Sequence, residues 1–347
     1  MNAVTVRTGD TAVEPDRVHR HAIFRMGFGV AGCLIVGDGL GWTLPFLAPI
    51  LALTLLANTN RSPRPLQGFA IFLVIVISTI VVSAVANLLA DNPVAFSLIV
   101  SLMIFLSFVA HWQGAPPIVT LLTQLAVISV PLFAIVSPEA ATAFSYLLWE
   151  GAFVAVIVVW IAFALFPIPG DRQAAPPRAR LDRAAAMRRA AADTLVLLPM
   201  LIWHWAHVPD NVSFYTLFVA ILLLREQTET QRDQVADLHV RAALLGGLVA
   251  VAVSLVVISN DTFLLFAAVV MAACLWFAAE VCKGGWHGAV MLMAFTTFLI
   301  VFGLGLSEFV STADYLTTRL GRLFFAILYV VAAMSLVGGL GRPSKSS

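Results

Sequence analysis

Residues 41–58 read GWTLPFLAPILALTLLAN, from Gly41 to Asn58. The stretch is apolar enough for a membrane helix. From Pro45 to Asn58 it holds only fourteen residues, and Pro45 and Pro49 lie within it. A helix of that length reaches about 21 Å at 1.5 Å per residue, short of a hydrocarbon core about 30 Å thick. Its surroundings settle the solvent. Of 347 residues, 61% are hydrophobic and 11% charged, whereas a soluble domain carries about 25% charged residues. Apolar runs of near-spanning length follow one another from residue 22 to residue 340. The chain is read as an all-α, polytopic membrane protein. The alternating strands of a transmembrane barrel are not in the pattern.

Twelve spans are expected: 23–40, 45–58, 66–90, 93–110, 116–136, 141–166, 191–206, 212–224, 241–259, 262–279, 287–306 and 316–340. They divide the chain into a cytoplasmic N-terminal tail (1–22), a first transmembrane repeat (23–166), a cytoplasmic linker (167–190), a second repeat (191–340) and a cytoplasmic tail (341–347). Positive charge sets the orientation. With the N-terminus inside, eighteen of the twenty Lys and Arg fall in cytoplasmic segments, and Arg319 and Arg322 are the exceptions. The opposite loops carry only acids: Asp38, Asp91, Glu139, Asp210, Asp261, Glu308 and Asp314. Both termini are therefore expected in the cytoplasm.

The net charge of +1 gives no argument for nucleic acid, and three cysteines make no disulfide framework. Val30-Ala31-Gly32-Cys33 imitates a lipoprotein cleavage box. The apolar run before it, Ala22 to Gly29, is too short and is broken by Arg25. A retained first span is the reading, with Arg25 snorkelling to the cytoplasmic surface.

The second half echoes the first. Trp112-Gln113-Gly114-Ala115 matches Trp286-His287-Gly288-Ala289, Asp91-Asn92 matches Asn260-Asp261, and Tyr146-Leu147 matches Tyr315-Leu316. Six spans per half, an even number, make the repeat parallel, about an axis along the membrane normal. The short second span then has a counterpart of similar length, Val212 to Leu224. Paired short or Pro-interrupted segments point to a transporter binding site. A helix starting inside the bilayer leaves N–H groups and its positive dipole end at that depth, where an anion or water can satisfy them. Pro45 suits such a start, and Asn211 and Ser213 suit a cap for the eighth span. The alternative is that both short segments only pack.

The Arg-headed first span, the "GW…P" turn at Gly41-Trp42 and Pro45, the Leu/Ala-rich second span and the duplicated six-span unit resemble the fusaric acid resistance and aromatic acid exporter family. The resemblance runs from Arg25 to Leu340. It implies a proton-driven exporter of aromatic carboxylic acids in a bacterial inner membrane, working with a periplasmic membrane fusion (adaptor) protein and an outer-membrane channel. Larger members carry sizeable cytoplasmic domains. This chain has only a short linker and tail, so it resembles a compact branch.

Ionisable residues inside a membrane are functional candidates. Glu150 lies near the middle of the sixth span, and in the repeat it falls opposite Arg319, with Arg322 one turn on. Glu150 is the candidate proton-coupling or gating carboxylate. Arg319 and Arg322 are candidates for the substrate carboxylate or for neutralising Glu150; a static ion pair is the competing reading. Trp42, Pro45, Phe46, Trp203, His207, Phe214 and Tyr215 are candidates for an aromatic substrate vestibule, against the plainer reading of an interfacial aromatic belt. Asp193 reads as a charge near the cytoplasmic start of the seventh span. The stretch Arg225 to Arg241 reads as a solvated loop or a short helix leading into the ninth span. His204 and His207, without a third ligand, make no metal site. P-loop, zinc-protease and nucleophile-elbow signatures are missing, so no enzyme and no cofactor is expected.

The favoured function is a secondary exporter of small aromatic or amphipathic organic anions. An anion channel and a non-transporting membrane assembly subunit are the alternatives. Self-association into a homo-oligomer is compatible with each.

Overall fold

The computed structural model describes residues 14–42, 44–58, 62, 64–89, 92–167, 180–206, 221, 224, 229–259, 262–306 and 329. Within them the chain is helical: α1 (Glu14–Gly39), α2 (Leu47–Asn58), α3 (Pro65–Leu89), α4 (Pro93–Trp112), α5 (Pro117–Val136), α6 (Pro138–Leu165), α7 (Arg183–Ala206), α8 (Glu229–Ile258), α9 (Phe263–Cys282) and α10 (Gly285–Leu306). Among the described residues, 8 helices are long and apolar enough to cross a membrane. The protein is an all-α, multi-pass membrane protein.

Local sequence explains the helix ends. α3, α4, α5 and α6 each begin on a proline, whose missing N–H is one a helix start leaves unused anyway. Asn92 caps α4 by accepting from the Ala95 N–H at 3.1 Å, and Ser137 Oγ accepts from the Ala140 N–H at 3.0 Å before α6. After α1 and α4 the chain turns on Gly41 and Gly114, with φ of 69° and 88°, a conformation a side chain would resist.

Three helices begin well before the apolar runs that announced them. α1, α7 and α8 start at Glu14, Arg183 and Glu229, where the sequence suggested 23, 191 and 241. A hydropathy window sees only the part inside lipid, and the charged turns before it are helical too. The stretch ending at Arg241 is thus largely helix from Glu229 onward, and Arg241 pairs with Asp237 one turn earlier at 2.9 Å.

The helices form two compact units. The first contains α1, α2, α6 from Val154, α8 from Leu245, α9 and α10. Here α1 packs on α9 and α2, and α10 packs on α9 and α2. Gly27 of α1 lies against the Leu275 backbone of α9, and Cys33 and Cys274 are both fully buried. Phe277 stacks on Phe295 at 5.0 Å and Phe298 on Phe302 at 5.4 Å. Arg25 does not snorkel: it is 5% exposed, with its guanidinium 4.0 Å from the Phe163 ring centroid. Aromatic faces attract cations more strongly once desolvated.

The second unit contains α3, α4, α5, α6 up to Phe153, α7 and α8 up to Leu244. α4 packs on α7, α5 and α3, and α5 packs on α3 and α7. Some polar groups inside it meet one another. Trp149 Nε1–H donates to Thr79 Oγ1 at 2.6 Å, Thr79 Oγ1 also reaches the Ile75 carbonyl at 2.9 Å, and Ser83 meets Ser145 at 3.4 Å. Hydrocarbon offers polar groups no alternative partner.

The two units share a pattern. α4 buries Phe96, Val100, Ile104, Ser107 and Phe108 and, in its last turn, His111 and Trp112; the first five have counterparts. α9 buries Phe266, Val270, Cys274, Phe277 and Ala278, each the same interval further along the chain. α4 meets α7 in one unit, and α9 meets α1 in the other. The pairing of Trp112 with Trp286 is corrected by this alignment. Trp112 closes α4, its counterpart by interval is Cys282, and Trp286 opens α10.

Candidate functional site

α2 is short, as its sequence suggests, at 12 residues. It begins at Leu47, two residues after Pro45, so Pro49 occupies the first turn and interrupts no internal bond. The Leu47 N–H donates to the Leu44 carbonyl at 3.2 Å and the Ile50 N–H to the Phe46 carbonyl at 3.2 Å. Pro49 has no N–H. That leaves the Ala48 N–H as the remaining first-turn donor, too little for the expected electropositive tip. The surroundings are apolar: Phe46 and Ala48 are 0% exposed, and Phe46 packs against Gly303 of α10. Pro45 is buried, and its carbonyl approaches Gly37, as does the half-buried Trp42 ring. In this conformation Pro45 and Phe46 are packing residues of the first unit.

Trp203 of α7 is 51% exposed and stands edge-on to His204 at 5.1 Å. His204 is buried and its Nδ1 lies 2.8 Å from the Met200 carbonyl. His207, Phe214, Tyr215, Arg319 and Arg322 lie outside the described residues, as do Asn211 and Ser213. Among the described residues no group of three His, Cys, Asp or Glu could hold a metal ion.

Glu150 sits near the middle of α6 and is exposed. Tyr146 and Phe153, 55% and 54% exposed, lie one turn before and one turn after it on the same face. Among the described residues Glu150 has no ion pair or hydrogen bond. A carboxylate at that depth is costly against lipid and is found facing water or a polar partner.

A second carboxylate is placed quite differently. Asp193 is 0% exposed. It lies three turns into α7, because that helix starts at Arg183; it is not a helix-start charge. Trp112 Nε1–H donates to Asp193 Oδ2 at 2.8 Å. Arg189, one turn earlier, places Nε 3.4 Å from Asp193 Oδ1, and its guanidinium lies 5.3 Å from the Trp112 ring centroid. His111 stands edge-on to Trp112 at 5.0 Å, with its Nδ1 3.4 Å from Thr120 Oγ1 of α5. His111, Thr120 and Gln124 are all buried. The second unit thus holds a polar knot where α4, α5 and α7 meet.

The sequence carried an overlooked signal for this knot. Asp182 caps α7: its carboxylate accepts from the Ala184 N–H at 3.3 Å and its carbonyl from the Ala186 N–H at 2.7 Å. Placing the helix start there puts Arg189 and Asp193 at i,i+4, inside the helix. That Trp112 completes the group is a tertiary fact that no local pattern shows.

Residues 22–162 match the model of a family described as a protein of unknown function (DUF2955). The match runs from α1 into α6 and covers less than half of the chain. No curated protein matches, and no solved structure matches.

Proposed function

We propose that this chain is a secondary exporter of the bacterial inner membrane. It moves small aromatic or amphipathic organic anions outward, driven by the proton gradient, and hands them to a periplasmic adaptor protein and an outer-membrane channel. The proposal includes twelve spans in two parallel repeats and cytoplasmic termini. It assigns no catalytic step and no cofactor.

One observation carries it: five buried positions of α4 recur in α9 at one constant interval, and each helix packs on the leading helix of the other half. Two bodies built on one plan from a duplicated chain are the framework on which alternating access operates in parallel-repeat transporters. The resemblance to aromatic acid exporters supplies the substrate class.

Glu150 is the coupling carboxylate in this reading. Its exposed position within a membrane span favours a group that meets water or a moving partner over a static buried ion pair. Arg319 and Arg322 receive the substrate carboxylate. Trp42, Trp203, His207, Phe214 and Tyr215 line its path, with Pro45 and Phe46 joining only if the start of α2 loosens.

The test is uptake of a radiolabelled aromatic carboxylate into inverted inner-membrane vesicles. Uptake that needs the protein and stops with a protonophore supports export. Protein-dependent flux that follows membrane potential and ignores the protonophore replaces the pump with an anion channel.

A further inference from the structure

We propose that Asp193 is a proton-binding site at the cytoplasmic end of the second unit, and that its ionisation sets how strongly α7 is held to α4. The placement at the cytoplasmic end rests on the orientation proposed above.

An ionised carboxylate offers about four acceptor positions. Among the described residues Asp193, with no exposure, has one aligned hydrogen bond, from Trp112, while Arg189 Nε stands 3.4 Å away without the alignment of a hydrogen bond. Desolvating an ion pair is repaid only by close geometry and full hydrogen bonding. On the Asp193 side the pair has neither in full, so the charged form is poorly compensated there. A proton on Oδ1 cancels the attraction to Arg189 and leaves Oδ2 as a weaker acceptor for Trp112. Arg189 is 25% exposed at its side chain, so it has a route to water when released. The hydrogen bond that ties α7 to α4 through Asp193 is then a neutral and weaker one.

Among the described residues the charged and titratable neighbours are few. Arg189 is on the same helix. From α4 come Trp112 and, against its ring, His111. From α5, Thr120 and Gln124 bring no charge. One turn further along α7, Tyr329 donates its hydroxyl to the Val196 carbonyl at 2.8 Å. Protonating His111 adds a cation near Trp112 and so opposes protonation of Asp193.

The inference does not need the transport reading, and neither does its test. Difference infrared spectra of the purified full-length protein in lipid are recorded as the pH falls from about 8 to about 3. A protonated-carboxyl band appears in the wild type and is missing from Asp193→Asn. Trp112→Phe removes the N–H donated to the charged form and moves the midpoint of that band up by about one pH unit. A second measurement guards against a variant that fails to fold. Trp112 fluorescence, isolated by difference against Trp112→Phe, changes over the same pH range in the wild type. A band identical in wild type and Asp193→Asn, or a fluorescence signal flat across the range, overturns the proposal.

Discussion

Two glycines on the same helix separate packing from helix propensity. Gly27 and Gly32 both lie in α1. A methyl group at Gly27 meets Leu275 Cδ2 at 2.6 Å and Leu275 Cα at 3.0 Å, while one at Gly32 meets nothing within 4 Å. The Leu275 side chain can rotate away, but its Cα belongs to the α9 backbone. Carbon atoms pack at about 3.5–4.0 Å, so α1 and α9 must part locally by at least about 0.5 Å. Alanine in place of glycine gains up to about 1 kcal/mol of helix propensity at either site. At Gly27 that gain is set against about 1–3 kcal/mol of overpacking. Gly32→Ala is expected to be neutral or stabilising, and Gly27→Ala to fall below it by about 1–3 kcal/mol. The assay is thermal unfolding of the detergent-solubilised protein, read by size-exclusion chromatography after a temperature series. Equal midpoints for the two variants refute the close packing of α1 on α9.

Gly246→Ala is expected to be more damaging still, since its methyl runs into the Ala294 carbonyl oxygen of the α10 backbone; the same thermal series checks it. Phe298→Ala empties a fully buried position between Phe277 and Phe302 and is expected to cost about 3–5 kcal/mol, measured as a lowered midpoint. Arg189→Met removes the cation that offsets Asp193's charge and is expected to lower stability where Asp193 is ionised, with the loss vanishing as the pH falls and Asp193 becomes neutral. Adding Asp193→Leu restores most of it, and a double-mutant cycle reads the difference. Glu150→Gln is expected to leave the unfolding midpoint unchanged, because Glu150 is exposed with no partner among the described residues, while abolishing pH-dependent transport in vesicles.

What local pattern controls was legible in the sequence. The ends of α3, α4 and α5 fall within a residue or two of the apolar runs, because prolines and short polar turns set them. The short second span was visible as too few apolar residues between Pro45 and Asn58. Hydropathy, however, reports immersion in lipid and not helicity, so the charged first turns of α1, α7 and α8 were missed. That error carried Asp193 from the interior of α7 to its apparent start. The aromatic site residues illustrate a second limit. Composition marks Phe46 and Trp203 as equally suited to a flat ligand, but the fold sets Phe46 against Gly303 and leaves Trp203 half exposed. Arg25 was misjudged for a related reason: the Phe163 ring that receives it comes from α6, remote in sequence.

Transport itself remains the deciding measurement. Purified protein reconstituted into liposomes is given an imposed pH gradient, with an aromatic carboxylate on the side equivalent to the cytoplasm. The account expects saturable movement of the carboxylate against its own gradient, collapsing when the pH gradient is dissipated and lost in Glu150→Gln. Liposomes with and without the protein that move the carboxylate equally, or protein-dependent movement that only ever runs downhill and ignores the pH gradient, contradict it.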